Sequence, residues 1–400
     1  MDRSRPVEGR WACRVKWGLR GILLIVVSTF GVLACLGDSH WKEGLARQEA
    51  LEAKLRAASG GLREPFVGPA EPGDAGPEYP AILAELRERM SWEENSVLDA
   101  ELDDSGYARR SPEKAQELRA RFEPLLDRLR AAARRESCRI PDDAFHVRGW
   151  PAYYDIAGLF RAVTLLALSA RGADVEAGFR SLATALMVAL DASRELGSPW
   201  SAWGAPPAVD ELKRLLIDPG LSRDSLAAAE RMLVRLETEW VSAGEDRDRF
   251  YAMVYSTFRE ERSGQGWSSR VGGGWLFEWV RASHARVEAA LRKGEAQPWP
   301  QAQATYDELW KSVRRSWNPV STDAMVGFTD RNRRTLCARW RLLRAAARVR
   351  LGKGPDVPGW PVDPFTFEPL TYAMEEGFMR IRITRVDGRG GFEEIRVAVP

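Results

Sequence analysis

Residues 151–190 read PAYYDIAGLFRAVTLLALSARGADVEAGFRSLATALMVAL, and this stretch decides the fold. Pro151 opens a helix whose inward positions are Ile156, Leu159, Phe160, Val163, Leu166 and Ala170, a helical period. Arg171-Gly172-Ala173-Asp174 then supplies a C-terminal glycine and a new N-cap. A second helix sets Val175, Phe179, Leu182, Leu186 and Leu190 on one stripe. Two amphipathic helices joined by so short a connection predict an antiparallel hairpin, so the chain reads as mainly α.

The same pattern extends both ways. Ser111 followed by Pro112 is an N-cap and first-turn pair, and Leu118, Phe122, Leu125, Leu126 and Leu129 follow at helical spacing. Further helices are expected at 208–217, 222–243, 246–261, 275–293, 301–315 and 331–351, punctuated by Pro and Gly clusters at 197–207, 263–274 and 297–300. No fixed repeat period emerges, and the tetratricopeptide signature does not recur. The expectation for 81–360 is an irregular array or bundle of helical hairpins. Beyond it, 361–400 changes to alternation, with Met379, Ile381 and Ile383 facing one side and Arg380, Arg382 and Thr384 the other. A turn at Asp387–Gly391 and a return strand at Phe392–Val399 predict a small β-hairpin or three-stranded tail packed on the last helix.

The N-terminus is read for location. A basic segment, 1–20, precedes an uncharged apolar run, Gly21–Gly37, flanked by Trp17 and Trp41. At about 1.5 Å per residue the run spans roughly 25 Å, close to a bilayer core of about 30 Å. The excess of Arg and Lys before it places the N-terminus in the cytoplasm and the bulk outside, as for a single-pass protein of the bacterial inner membrane. Three readings stay open: an uncleaved signal anchor, which is favoured; a removed secretory signal; and a lipoprotein signal, in which Val32-Leu33-Ala34-Cys35 makes Cys35 the lipidated residue. Residues 38–80 are expected to be a juxtamembrane helix over Trp41–Ala58 and then a linker, since Ser59–Pro80 holds five Gly and five Pro.

Composition narrows the function classes. Lys and Arg number 59 against 57 Asp and Glu, a net charge of only +2, which argues against nucleic acid as a partner. Of the four cysteines, only Cys138 and Cys337 would face an oxidising compartment, and two buried free thiols are favoured over a bridge. Three histidines, His40, His146 and His284, are too sparse for a zinc site, and Asp142, Asp143 and His146 match no ligand spacing. Phosphate-loop, nucleophile-elbow and zinc-protease motifs are absent from the sequence. No catalytic residue and no cofactor is assigned, and the chain is read as a non-enzyme.

Trp360-Pro361-Val362-Asp363-Pro364-Phe365-Thr366-Phe367-Glu368-Pro369-Leu370-Thr371-Tyr372 resembles a D-P-F-T-G-x-P-L-x-Y element. That element closes a group of uncharacterised bacterial membrane-anchored helical proteins, and is similar to the C-terminal loop of type II secretion pseudopilins. The residues that carry the resemblance are Asp363, Pro364, Phe365, Pro369, Leu370 and Tyr372. A helix ending in Gly354 and Pro355 precedes it and an Asp387-Gly388 turn follows, as in that group. Phe367 stands where glycine, which permits positive φ, is usual. The N-terminal run lacks a prepilin cleavage pattern, so the chain is not itself a pilin. The resemblance implies calcium candidates at Asp363, Asp387, Glu393 and Glu394, since oxygen ligands suit that ion; surface charges without an ion are the favoured reading.

Two further features have a functional and a plain reading. Arg331–Lys353 carries nine basic residues and no acid, which suits anionic headgroups or, more simply, a core helix with a solvated face. Sixteen tryptophans, several beside prolines, suit glycan stacking or, more simply, wedges at helix ends. Acidic pairs such as Asp103-Asp104 and Glu260-Glu261 would serve a glycosidase only if two carboxylates met across a cleft. The expected protein is a membrane-anchored envelope scaffold that binds another protein. Its alternatives are an accessory of a type II secretion-like system and a glycan-binding module or glycosidase.

Overall fold

The computed structural model describes residues 8–58, 62–103, 109–139, 156–171, 173–196, 205–240, 267–315, 326–385 and 391–400. In chain order these form α1 (Glu8–Ala58), β1 (Glu71–Asp74), α2 (Glu78–Arg89), α3 (Trp92–Leu102), α4 (Pro112–Ala133), β2 (Arg135–Ser137), α5 (Ile156–Arg171) and α6 (Val175–Leu196). There follow α7 (Pro206–Ile217), α8 (Arg223–Glu239), α9 (Trp267–Glu295), α10 (Trp299–Arg315), α11 (Val326–Arg350), β3 (Thr371–Glu375), β4 (Phe378–Arg385) and β5 (Gly391–Ala398). The protein is therefore mainly helical with a small antiparallel sheet at its C-terminal end. The helix expected at 246–261 lies outside the described residues.

The α5–α6 hairpin is present, and Asp174 caps α6 by accepting the Ala177 N–H at 2.9 Å. It is buried on more than the expected stripes. Ala162, Leu165, Ala167 and Leu168 of α5 and Ala183, Ala185, Met187 and Ala189 of α6 are buried as well. The reason is position: α5 is surrounded by α2, α3, α4, α6 and α7. Its alanines let those neighbours approach on every side, so one-face periodicity understates a central helix.

Two expectations about glycine are corrected. The helix expected from 275 begins earlier, at Trp267, so α9 runs through Gly272 and Gly274 of the expected 263–274 break. A Cβ at Gly274 would collide with the Gly37 carbonyl oxygen, one at Gly37 with Val271, and one at Gly44 with the Phe277 ring. These glycines therefore allow close approach of the α1 and α9 backbones. Trp41 and Phe277 stack beside that seam with ring centres 4.9 Å apart.

The Gly/Pro stretch after α1 is not a free tether over its described part, 62–80. β1 pairs in parallel with β2, and Leu62 bridges to Ser137. Arg63 is buried and forms an ion pair with Asp191 of α6. Pro and Gly exclude a helix up to Pro77, with α2 already begun at Glu78, and the freed backbone groups pair with the strand that follows α4.

The sheet order is β3-β4-β5, both pairs antiparallel. Met379, Ile381 and Ile383 of β4 face inward with Ile395 and Val397 of β5, covering α11. Among the described residues no helix is long and apolar enough to cross a membrane. The first residues of the apolar run, 21–24, lie outside those whose side chains are described. What is described of α1 is one unbroken helix in which the run and the expected juxtamembrane helix are continuous.

Candidate functional site

The tail element forms a closed loop with its own bonding. The Asp363 N–H donates to the Glu368 carbonyl at 2.7 Å, the Phe367 N–H to the Asp363 carbonyl at 2.8 Å, and the Leu370 N–H to the Pro361 carbonyl at 3.0 Å. The Asp363 carboxylate works inward: Oδ1 accepts the Phe365 N–H and Oδ2 the Thr384 N–H, both at 2.8 Å. One short acidic side chain thus ties the loop to itself and to β4. Phe367 closes the turn with φ of 64°, the one non-glycine residue at positive φ among those described.

The loop docks on a polar cluster at the meeting of α9, α10 and α11. Arg334 donates from Nη1 to the Pro364 carbonyl, from Nη2 to the Gly294 carbonyl, each at 2.7 Å, and from Nε to Asp330 at 2.9 Å. Tyr306 donates its hydroxyl to the same Asp330 oxygen at 2.7 Å. Burial, followed by the neighbouring Asp330 carboxylate, pushes the Tyr306 phenol well above its usual range, so it stays a donor. Phe365 is buried edge-on against Trp299, and the Trp299 N–H donates to the Phe365 carbonyl at 2.7 Å. Pro369 pairs with Val362, Leu370 is buried, and Tyr372 lies edge-on to Trp360 at 6.2 Å. The geometry is a latch with no open chemical centre.

Three of the four calcium candidates have other partners. Asp363 is inside the latch, Glu393 faces Lys213 and Arg339, and Glu394 pairs with Arg382 at 3.1 Å. Asp387 lies outside the described residues, as do Asp142, Asp143, His146 and Glu260-Glu261. Among the described residues no group of three or more His, Cys, Asp or Glu is gathered for a metal. Cys138 and Cys337 are both buried and neither is in a disulfide, and burial raises the Cys337 thiol above its ordinary value.

The basic helix α11 is turned to the protein. Arg341 and Arg344 share Glu237 of α8, while Arg348 and Lys353 share Glu230. Arg341 and Arg348 also bind the carbonyls of Val362 and Pro358 at 2.8 Å. Its arginines fasten α8 and the tail in place, and are not a free cationic surface. Four tryptophans are likewise turned inward: Trp41, Trp240, Trp299 and Trp340 are buried, with Trp240 packed on Trp340, whereas Trp92 and Trp279 are exposed.

The second region of interest is the upper half of α1. Ile25, Val26, Val27, Phe30, Val32, Leu33 and Leu36 are all exposed, Ile25 and Phe30 by more than two thirds. Cys35 is exposed among them. From Gly37 the helix is held against α9. Sequence reasoning missed the Arg63–Asp191 pair and the Tyr306–Asp330–Arg334 cluster. The signal for the first was a lone Arg within a Gly/Pro stretch; for the second, one acid opening an otherwise basic helix.

Comparison of the chain with family models, curated proteins and solved structures gives no match.

Proposed function

We infer that the chain is a single-pass envelope protein, anchored by α1, whose helical array scaffolds or binds another protein and performs no catalysis. The observation that carries the anchoring is the exposed apolar band from Ile25 to Leu36 on a helix whose next turns are locked to α9. Contiguous exposed apolar surface of this kind calls for a cover, and lipid suits a band that follows a basic segment. Because α1 enters the array without a flexible break, the array rides rigidly on its anchor, close to the bilayer. A Cys35-lipidated form, whose mature chain would begin at Cys35, keeps the array on the same side of the membrane but holds it by acyl chains in place of the band.

Alkaline carbonate extraction of native membranes tests the anchoring. The chain is expected in the pellet, and a variant with Ile25, Val27 and Phe30 changed to Asp is expected in the wash. Release of the unaltered chain by carbonate would overturn it. Cross-linking from native membranes tests the scaffold role, with a protein partner expected and retention on peptidoglycan alone counting against it.

A second reading, an accessory of a type II secretion-like system, is favoured by one observation. Phe367 adopts the left-handed conformation at the position where the resembling loops carry glycine. No such observation favours a glycosidase.

A further inference from the structure

Between α4, the start of α6 and the loop at Val67-Gly68 lies a cleft of about 480 Å³. Four guanidinium groups line it, Arg119, Arg130, Arg134 and Arg180, against one carboxylate, Glu123. Glu123 is taken by Arg130 at 2.6 Å, and Arg134 pairs with Glu71 at 2.9 Å. Arg119 and Arg180 form no ion pair among the described residues. Arg180 stands between this cleft and an adjoining one, where three acids, Glu64, Glu176 and Asp224, accompany Arg231 and Arg235.

A second observation points into the same cleft. Ser169 of α5 lines it, is only 4% exposed, and its hydroxyl has no hydrogen-bond partner. A buried hydroxyl without a partner costs stability, and a ligand in the cleft that Ser169 lines would supply one. Ser181, in the second turn of α6, adds a further hydroxyl, while that of Thr184 donates to the Arg180 carbonyl at 3.0 Å.

We propose that this cleft binds a phosphate group carried by a small organic molecule. Phosphate matches the donor set, because its tetrahedral oxygens accept from several guanidinium forks and a hydroxyl at once. The cleft has the size of a small-molecule site, and Val67, Ala173 and Ala177 give it an apolar wall for the remainder of the ligand. This site is independent of the anchoring and scaffold roles.

The test is thermal unfolding of the full chain in neutral detergent, followed by tryptophan fluorescence, with inorganic phosphate against sodium chloride of equal ionic strength. A saturable rise in Tm is expected, and R119Q/R180Q is expected to abolish it. Ser169→Ala removes only an unsatisfied group, so its ligand-free Tm is expected to equal or exceed that of the native chain. Its phosphate affinity is expected to fall about tenfold, the loss of one charge-assisted bond. Glycerol 3-phosphate displacing phosphate would mark a soluble ester as the ligand; phosphatidylglycerol doped into the micelle doing so instead would mark a lipid headgroup. No saturable rise, or a rise that R119Q/R180Q retains, would overturn the proposal.

Discussion

Arg63, from the Gly/Pro stretch after α1, forms a fully buried ion pair with Asp191 in the C-terminal part of α6, and Tyr79 donates to the same carboxylate at 3.0 Å. Arg63 also donates to the Ala132 and Arg135 carbonyls, at 2.8 and 2.9 Å. One side chain therefore fastens the entry segment to α4, β2 and α6. Arg63→Ala is expected to destabilise the chain by about 3–5 kcal/mol, because it leaves a buried carboxylate uncompensated. Urea unfolding measures this, and R63M/D191L is expected to recover most of the loss.

The latch gives a prediction of opposite sign. Holding Phe367 in the left-handed region costs about 1–2 kcal/mol. Its stacking beneath Arg334, 5.6 Å from the ring centre, returns about 0.5–1 kcal/mol at a half-exposed site. Phe367→Asn is therefore expected to stabilise slightly, by about 0.5 kcal/mol, since Asn tolerates that conformation. Phe367→Ile is expected to destabilise, because a β-branched residue tolerates it least. Paired urea titrations of the two variants distinguish strain from packing.

Stability should fall in acid through carboxylates held ionised by cations. At Glu230, burial pulls the carboxyl up, but the bonds from Lys353 and Arg348 outweigh it and hold it below its ordinary 4.5. Arg89 and Arg128 lower Glu85 in the same sense. A lowered folded value means the stabilisation is complete above the unfolded value and is lost as pH falls through the folded one. Tm is expected to be level above about pH 5 and to drop below it. Glu230→Gln is expected to cost about 1–2 kcal/mol at neutral pH and to make the acid limb shallower.

The glycine seam predicts a local effect. Gly274→Val is expected to free α1 from α9, because its side chain would meet the Gly37 carbonyl. Hydrogen exchange is expected to accelerate over 38–52 and to stay slow in α5, which the seam does not touch.

These sites differ in how far the sequence discloses them. The α5–α6 hairpin is legible from Leu159 to Leu190 because period and capping agree with burial. So is the inward set Met379, Ile381 and Ile383, since strand alternation maps directly onto the two faces of a sheet. The Gly274 seam is not, because glycine has two opposed uses, ending a helix and admitting a neighbour, and only the position of Gly37 decides between them. Arg63–Asp191 is equally hidden, since its partners are far apart in the chain and neither belongs to a motif. The latch is half legible: Asp363, Phe365 and Leu370 stand out as an element, while Arg334, which receives it, looks like any other arginine of a basic helix.

The central claim is that the Ile25–Leu36 band lies in lipid with the helical array outside the cytoplasm. Cysteine labelling in intact cells tests it most directly, using Cys35 in the band and Trp92→Cys at an exposed site on α3. With a membrane-impermeant maleimide, the account predicts that the residue at 92 labels in intact cells and that Cys35 labels only after detergent. Labelling of Cys35 in intact cells, or of position 92 only after lysis, would contradict it.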